Sequence, residues 1–145
     1  MATQTIERPA LRPAADLEGL FPGRYLSVTS FKRDGTGVST PLWFVCDGTR
    51  LFALTDLHSA KVRRIRRNPC VLIASCRPGG KLRRDQIPAR VEVLTATPDL
   101  ERVRKLLTER YKISYRLVML IYRLGRRVRG QQSVADGAAL AITVE

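Results

Sequence analysis

Apolar and polar residues alternate with a period of two over Arg24 to Phe31, Val38 to Cys46 and Arg50 to Thr55, the spacing of half-buried strands. Asp34-Gly35 and Asp47-Gly48 separate the three, and glycine accepts the positive φ that tight hairpin turns need. The segments are therefore expected to form a meander. Pro41 has no N–H to give to a ladder, which puts its strand at an edge or a bulge. Cys70 to Cys76 is almost wholly apolar, as in a strand buried on both faces, and Ile87 to Thr97 and Ala138 to Val144 read as two more strands. The period changes elsewhere. Asp16 to Leu20 reads as a helical turn that stops at Pro22-Gly23, and Ser59 to Arg67 as a short basic helix that Asn68-Pro69 ends. Thr97 caps a further helix with Pro98 at its first position and Asp99 and Glu101 in its first turn. Leu100, Val103, Leu107 and Tyr111 give it one apolar face. From Ser114 another helix is expected, with one stripe of Leu117, Leu120, Ile121, Leu124 and Val128 and a second of Tyr115, Met119 and Tyr122. Two stripes imply cover on two sides.

Consecutive strands with helices in two places predict a mainly β fold, an antiparallel barrel with helices at its ends, rather than alternating βαβ units. Of the 145 residues, 44% are hydrophobic and 27% charged, which is enough for one core without staples. Residues 1–20 are expected to form a flexible arm and residues 21–145 a single domain. The start, MATQTIERPALRP, has no apolar stretch of signal-peptide length, and the apolar run Leu117 to Tyr122 is far too short to span a bilayer. Cys46, Cys70 and Cys76 form no Cys-x-x-Cys pair and lie in apolar runs, where a thiol behaves as a small hydrophobe. A cytoplasmic location without membrane contact follows as an expectation.

Charge sharpens this picture. The chain has 26 basic and 13 acidic residues, net +13, and the excess is not spread evenly. Residues 61–90 carry net +9 and residues 102–129 another +9, while residues 1–60 balance. A focused field of this kind attracts phosphates or a polyanionic cofactor; solvated arginine faces on two helices are the plainer account. Nucleic acid is disfavoured, because the basic segments lack interleaved aromatic residues apart from Tyr111, Tyr115 and Tyr122. A single histidine, His58, argues against a multi-histidine metal centre and against a Ser-His-Asp triad. Gly35-Thr36-Gly37 and Gly79-Gly80-Lys81 lack the remaining residues of the dinucleotide and P-loop motifs.

The strongest local feature is TDLHSAK at 55–61, between a strand and the basic helix. Free N–H groups at a helix start cradle phosphate oxygens; Thr55 and Ser59 add hydroxyls, and Lys61 and Arg64 add charge. A capping role for Ser59 beside a solvated Lys61 is the competing account.

Here a resemblance becomes specific. YLSVTSFKRDG (25–35), STPLWF (39–44) and LFALTDLHSAKVRRIRRNPCVLIASC (51–76), with the spacing S-x-K-x-x-x-[IL]-x-x-N-P from Ser59 to Pro69, resemble the split β-barrel proteins of the pyridoxamine 5′-phosphate oxidase superfamily. KISYRLVMLIYRLGRR (112–127) resembles the basic, aromatic C-terminal helix of the branch that uses the deazaflavin coenzyme F420. The resemblance implies a six-stranded antiparallel split barrel of the FMN-binding type, and a homodimer with cofactor sites at its interface. It implies that Thr55, Ser59 and Lys61 hold the cofactor phosphate and that Ser39, Thr40 and Pro41 lie along the ring system. The flavin-phosphate oxidases have an arginine between this serine and lysine; here the position is Ala60, which suits coenzyme F420 better than FMN. Arg63, Arg64 and Arg67 are then the nearest cations for the glutamyl tail of that cofactor. Trp43, Tyr115 and Tyr122 either wall a pocket for a small planar acceptor or pack in the core. The expected function is an F420-dependent reductase that passes a hydride to a small organic acceptor. An FMN-binding oxidoreductase and a non-catalytic cofactor carrier are the alternatives.

Overall fold

The computed structural model describes residues 14–111 and 137–145. Their order is α1 (Ala14–Leu20), β1 (Tyr25–Phe31), β2 (Gly37–Trp43), β3 (Val45–Asp47), β4 (Arg50–Asp56), α2 (Ala60–Arg67), β5 (Cys70–Cys76) and β6 (Ile87–Leu94). A third helix, α3, follows over residues 97–111, and β7 spans Gly137–Val144. The fold is mainly β, an antiparallel sheet with a few helices, as the split barrel requires.

The seven strands form one sheet in the order β2-β1-β5-β6-β7-β4-β3. Six were expected. The count differs because the segment read as one strand, Val38 to Cys46, breaks at Phe44. Its first part pairs with β1, Tyr25 opposite Trp43 and Phe31 opposite Gly37, and its second pairs with β4, Val45 opposite Phe52. The expected meander is therefore two separate hairpins. β1 takes β5 as its other neighbour and β4 takes β7. The sheet is not closed, but β2 and β3, its two end strands, are joined by Phe44 alone. A sheet whose ends are one residue apart in the chain must curl round on itself. Pro41 indeed sits on an edge strand, where its missing N–H interrupts no second ladder.

The curl has an inner face and an outer face. Alternate residues Leu26 and Val28 of β1, Leu51 of β4, Val71 and Ile73 of β5, Val91 of β6, and Leu140 and Ile142 of β7 meet in the main core. α1 contributes Leu17, followed by Phe21, and α2 contributes Ile65. Residues 14–20 thus depart from the expected arm, because burying Leu17 completely makes this turn part of the domain. On the outer face, α3 lays Val103, Leu107 and Tyr111 over Val45, Phe52, Ala139 and Ala141. The expected helix from Ser114 to Val128 lies outside the described residues, and the strand expected to reach Thr97 ends at Leu94.

The break at Phe44 leaves backbone groups without ladder partners, and Tyr111 supplies them. Its Oη accepts from the Phe44 N–H at 3.2 Å and lies 2.6 Å from the Phe44 carbonyl and 2.8 Å from that of Arg24. The ring stacks on Trp43 with centroids 4.9 Å apart, and the Arg110 guanidinium lies 4.7 Å from the Phe44 ring centre. Burial is the main cause that raises the pKa of the Tyr111 hydroxyl above its ordinary range. Tyr111→Phe keeps the ring and removes these bonds. Chemical denaturation should show a loss of about 1–3 kcal/mol, the desolvation penalty of buried unpaired groups, with little change in the slope. An unchanged midpoint would mean that water replaces the hydroxyl at the junction.

Candidate functional site

α2 begins where the sequence places it. Ser59 is its N-cap, in extended geometry, and its Oγ accepts from the Val62 N–H at 3.3 Å. The helix is amphipathic: Val62 and Ile65 are buried, and Arg63, Arg66 and Arg67 are exposed. Lys61 is the exception among its cations. The competing account of the sequence has this lysine solvated, but only 9% of its surface is exposed, and its Nζ donates to Thr55 Oγ1 at 3.0 Å. Thr55 lies near the end of β4 on the same face as Leu51, the face turned to the main core.

This ammonium has lost most of its water and gained one neutral partner. Burial, and then the charge of Arg64, lower its pKa to about 8. No carboxylate among the described residues offsets either effect. A cationic group held in this way favours an anion with several acceptor oxygens, and a phosphate supplies both the charge and the acceptors. Thr55, Ser59 and Lys61, set at the start of α2, therefore fit the phosphate of a flavin-type cofactor.

The arginines divide. Arg64 donates from Nε to Ser30 Oγ at 2.7 Å, and Arg67 from Nη2 to the Phe31 carbonyl at 3.2 Å. Both fasten α2 to the C-terminal end of β1 while keeping other N–H groups. Arg63 is exposed on the helix, and its side chain makes no hydrogen bond to the described residues.

Ser39, Thr40 and Pro41 do not share one face. Ser39 and Pro41 are opposite Thr29 and Ser27 on the outer face, whereas Thr40 is opposite Val28 on the inner face. A single planar ring can meet Ser39 and Pro41 through their side chains, or Thr40, but not all three. The outer set is part of a polar chain that the sequence did not reveal. Thr29 Oγ1 lies 2.7 Å from Ser39 Oγ and accepts from Gln86 Nε2 at 3.0 Å. Gln86 comes from just before β6, and no local pattern announces a contact across 57 residues. Next to this chain, Ser27 is 1% exposed and its hydroxyl has no partner among the described residues. Trp43, expected at the acceptor pocket, packs between Tyr25 and Tyr111; Tyr115 and Tyr122 lie outside the described residues.

The cysteines differ from one another. Burial pushes the Cys46 thiol up to about 11 and also raises that of Cys76. Cys70 is exposed, contrary to the expected core position, because β5 starts at the solvent end of its ladder.

Residues 22–145 match the pyridoxamine 5′-phosphate oxidase family, and the chain belongs to it. It is similar in fold to three solved structures of different described roles. One is an F420 reductase, with 19% identity over 88% of this chain and 92% of that one and a TM-score of 0.54. Another is the haem storage protein HutZ from Vibrio cholerae, with 15% identity over 92% and 91% and a TM-score of 0.60. The third is a pyridoxamine 5′-phosphate oxidase-related, FMN-binding protein from Nostoc punctiforme, with 18% identity over 83% and 70% and a TM-score of 0.50. No curated protein matches the chain.

Lys61 carries a stability cost with a definite sign. Its pKa falls from 10.5 unfolded to about 8 folded, so between these values the unfolded chain binds more protons and stability rises with pH. Below pH 8 the full penalty is present, about 3 kcal/mol at 1.36 kcal/mol per pH unit. Lys61→Met should therefore stabilise the ligand-free protein at pH 7, by up to that amount. The gain should shrink steadily towards pH 10.5, as followed by urea unfolding across the range. A variant less stable than wild type at pH 7 would show that the Thr55 bond outweighs the desolvation.

Proposed function

We propose that the chain is an F420-dependent reductase that passes a hydride to a small organic acceptor. The observation that carries this reading is the buried Lys61 ammonium on Thr55, beside the Ser59 cap and with no carboxylate among the described residues to neutralise it. When bound, the deazaflavin supplies the hydride; the protein need supply no acid–base dyad, which agrees with its single histidine. Its residues bind and orient. Lys61, Thr55 and Ser59 hold the phosphate. Ser39 and Pro41, on one face, offer a hydroxyl and an apolar contact to a ring, and the bonds from Thr29 and Gln86 fix the region around Ser39. Arg63 extends positive charge beyond the phosphate, joined by the free N–H groups of Arg64 and Arg67.

Three things support the deazaflavin over FMN: Ala60 in place of an arginine, the charge excess of residues 61–90, and the likeness in fold to an F420 reductase. One observation favours FMN. Arg64 and Arg67 are tied to Ser30 and Phe31, which leaves fewer unengaged cations for a glutamyl tail. A carrier without turnover is the third reading, in keeping with the haem storage role described for a protein of this fold. A homodimer in the cytoplasm remains part of the proposal; the outer face of β1 and β2, with Tyr25, Pro41 and Trp43 only half-buried, is the surface it would use.

Titration of cofactor fluorescence separates these readings. Coenzyme F420 should bind more tightly than FMN at low salt, and salt should erode most of the difference, since each exposed Arg–carboxylate contact contributes about 0.2–1 kcal/mol. Arg63→Ala with Arg67→Ala should weaken F420 and leave FMN nearly level. Affinity for either should fall as pH rises above about 8, where free Lys61 loses its proton. A preference for FMN at every salt concentration would replace the deazaflavin reading with the flavin one.

A further inference from the structure

A second cationic group lies far from Lys61. Arg24, Arg83, Arg84 and Arg110, from three separate stretches of chain, converge on the connection between α1 and β1. Arg84 donates to the Gly19 carbonyl at 2.9 Å and Arg110 to that of Gly23 at 2.8 Å. The Arg83 guanidinium lies 3.6 Å from where a side chain on Gly23 would begin. Among the described residues Arg50 pairs with Glu92 and Arg102 with Asp47, whereas none of these four arginines is seen in such a pair with a described carboxylate. Asp16, Glu18 and Asp85 are exposed in the same neighbourhood. β1 runs between the two groups: Arg24 precedes its first residue, and Arg64 and Arg67 hold its last two. Seven residues at about 3.3 Å each put them roughly 20 Å apart. One phosphate cannot serve both.

Beside the arginines an exposed leucine, Leu82, sits on the returning arm of a turn. After β5 the chain turns back, with Gly80 donating to the Arg77 carbonyl at 2.8 Å and Arg77 to that of Lys81 at 2.9 Å. Gly80 has φ +94°, which glycine alone adopts without strain. Leu82 then pairs with Cys76, and Arg83 donates to the Ser75 carbonyl at 2.9 Å. Ser75 Oγ in turn donates to the Pro22 carbonyl, which anchors the turn to the same connection. The turn holds out Leu82, which is 41% exposed and is the large exposed hydrophobic residue among those described. Arg77, Lys81, Arg83 and Arg84 surround it in sequence, all exposed.

We propose that this surface docks on an anionic lipid bilayer. A phosphodiester polymer would match the charge, but it gives Leu82 nothing to enter. A bilayer offers anionic headgroups to the arginines and an apolar layer to the leucine at the depth of one side chain. This proposal departs from the expectation of no membrane contact, and it is peripheral: no described helix is long and apolar enough to cross a membrane. It is independent of which cofactor the other group holds.

Co-sedimentation with vesicles tests it. The full chain should pellet with vesicles in which a third of the phosphatidylcholine is replaced by phosphatidylglycerol, and stay in solution with phosphatidylcholine alone. Lys81→Ala with Arg83→Ala, whose side chains make no described hydrogen bond, should lower partition about 25-fold, at roughly fivefold per cation, with an unchanged melting temperature. Leu82→Ser should lower partition while keeping its salt dependence. Arg66→Ala, on α2, should leave partition unchanged. Equal partition to both vesicle types would overturn the proposal. So would indifference to the double variant and to Leu82→Ser, or loop-dependent binding to a single-stranded RNA oligonucleotide tighter than to the vesicles.

Discussion

The two ends of the sheet meet at one residue, and the hydroxyl of Tyr111 holds them there. Phe44 can belong to neither ladder, because β2 runs into one edge of the sheet and β3 out of the other. Its N–H and carbonyl would be stranded in the core without a partner, and such groups are costly. Tyr111 Oη bonds both and reaches the Arg24 carbonyl as well, so a single side chain from α3 ties the start of β1 to the junction. The same residue packs α3 against the outer face through the stack on Trp43. Barrel curl, the cover of the outer face and the position of β1 are thus coupled at one point.

With β1 fixed, its far end becomes the place where binding groups gather. Successive residues there point to opposite faces. Thr29 goes outwards to Ser39 and Gln86, and Ser30 goes inwards to Arg64. Arg67 takes the Phe31 carbonyl. α2 is thereby held with its first turn over the end of β4, which puts Lys61 against Thr55. The lysine is buried because the helix that carries it is needed as a lid on the core through Val62 and Ile65. A group placed there at a cost to stability, with no acidic partner among the described residues, supports the anion site proposed for it.

What the sequence made legible follows from the range of each interaction. α2, its Ser59 cap and the break at Asn68-Pro69 depend on neighbours within four residues, and they stand as read. The strand segments stand too, apart from the break at Phe44 and the early end at Leu94, because the pattern that marks them is local. The pairing of β1 with β5 and of β4 with β7 depends on residues tens of positions apart, so hairpin signals alone suggested a meander that the sheet does not form. The break at Phe44 was hidden for a related reason: the alternation runs through it with no glycine to mark it, and the tyrosine that makes it tolerable lies 67 residues away. At the site, Thr55, Ser59 and Lys61 were visible as a motif. The burial of Lys61 and the opposed faces of Ser39 and Thr40 required the fold.

Charge was the coarsest signal in the sequence, and the structure divides it most finely. The net +9 of residues 61–90 looks like one field, yet β5 and its following turn carry its two halves to opposite ends of β1. At one end the cations are partly spent on structure: Lys61 is buried, and Arg64 and Arg67 are bonded to β1. At the other end the Lys81 and Arg83 side chains make no described hydrogen bond, and Arg84 and Arg110 each donate to a backbone carbonyl. Buried, bonded charge selects a small ligand by geometry, because a misplaced anion leaves the ammonium unpaired in a medium of low dielectric. Exposed charge around a projecting leucine is screened by salt and accepts any arrangement of anions. A run of basic residues that is uniform in sequence thus becomes two surfaces with different physical selectivity, and the length of one strand keeps them apart.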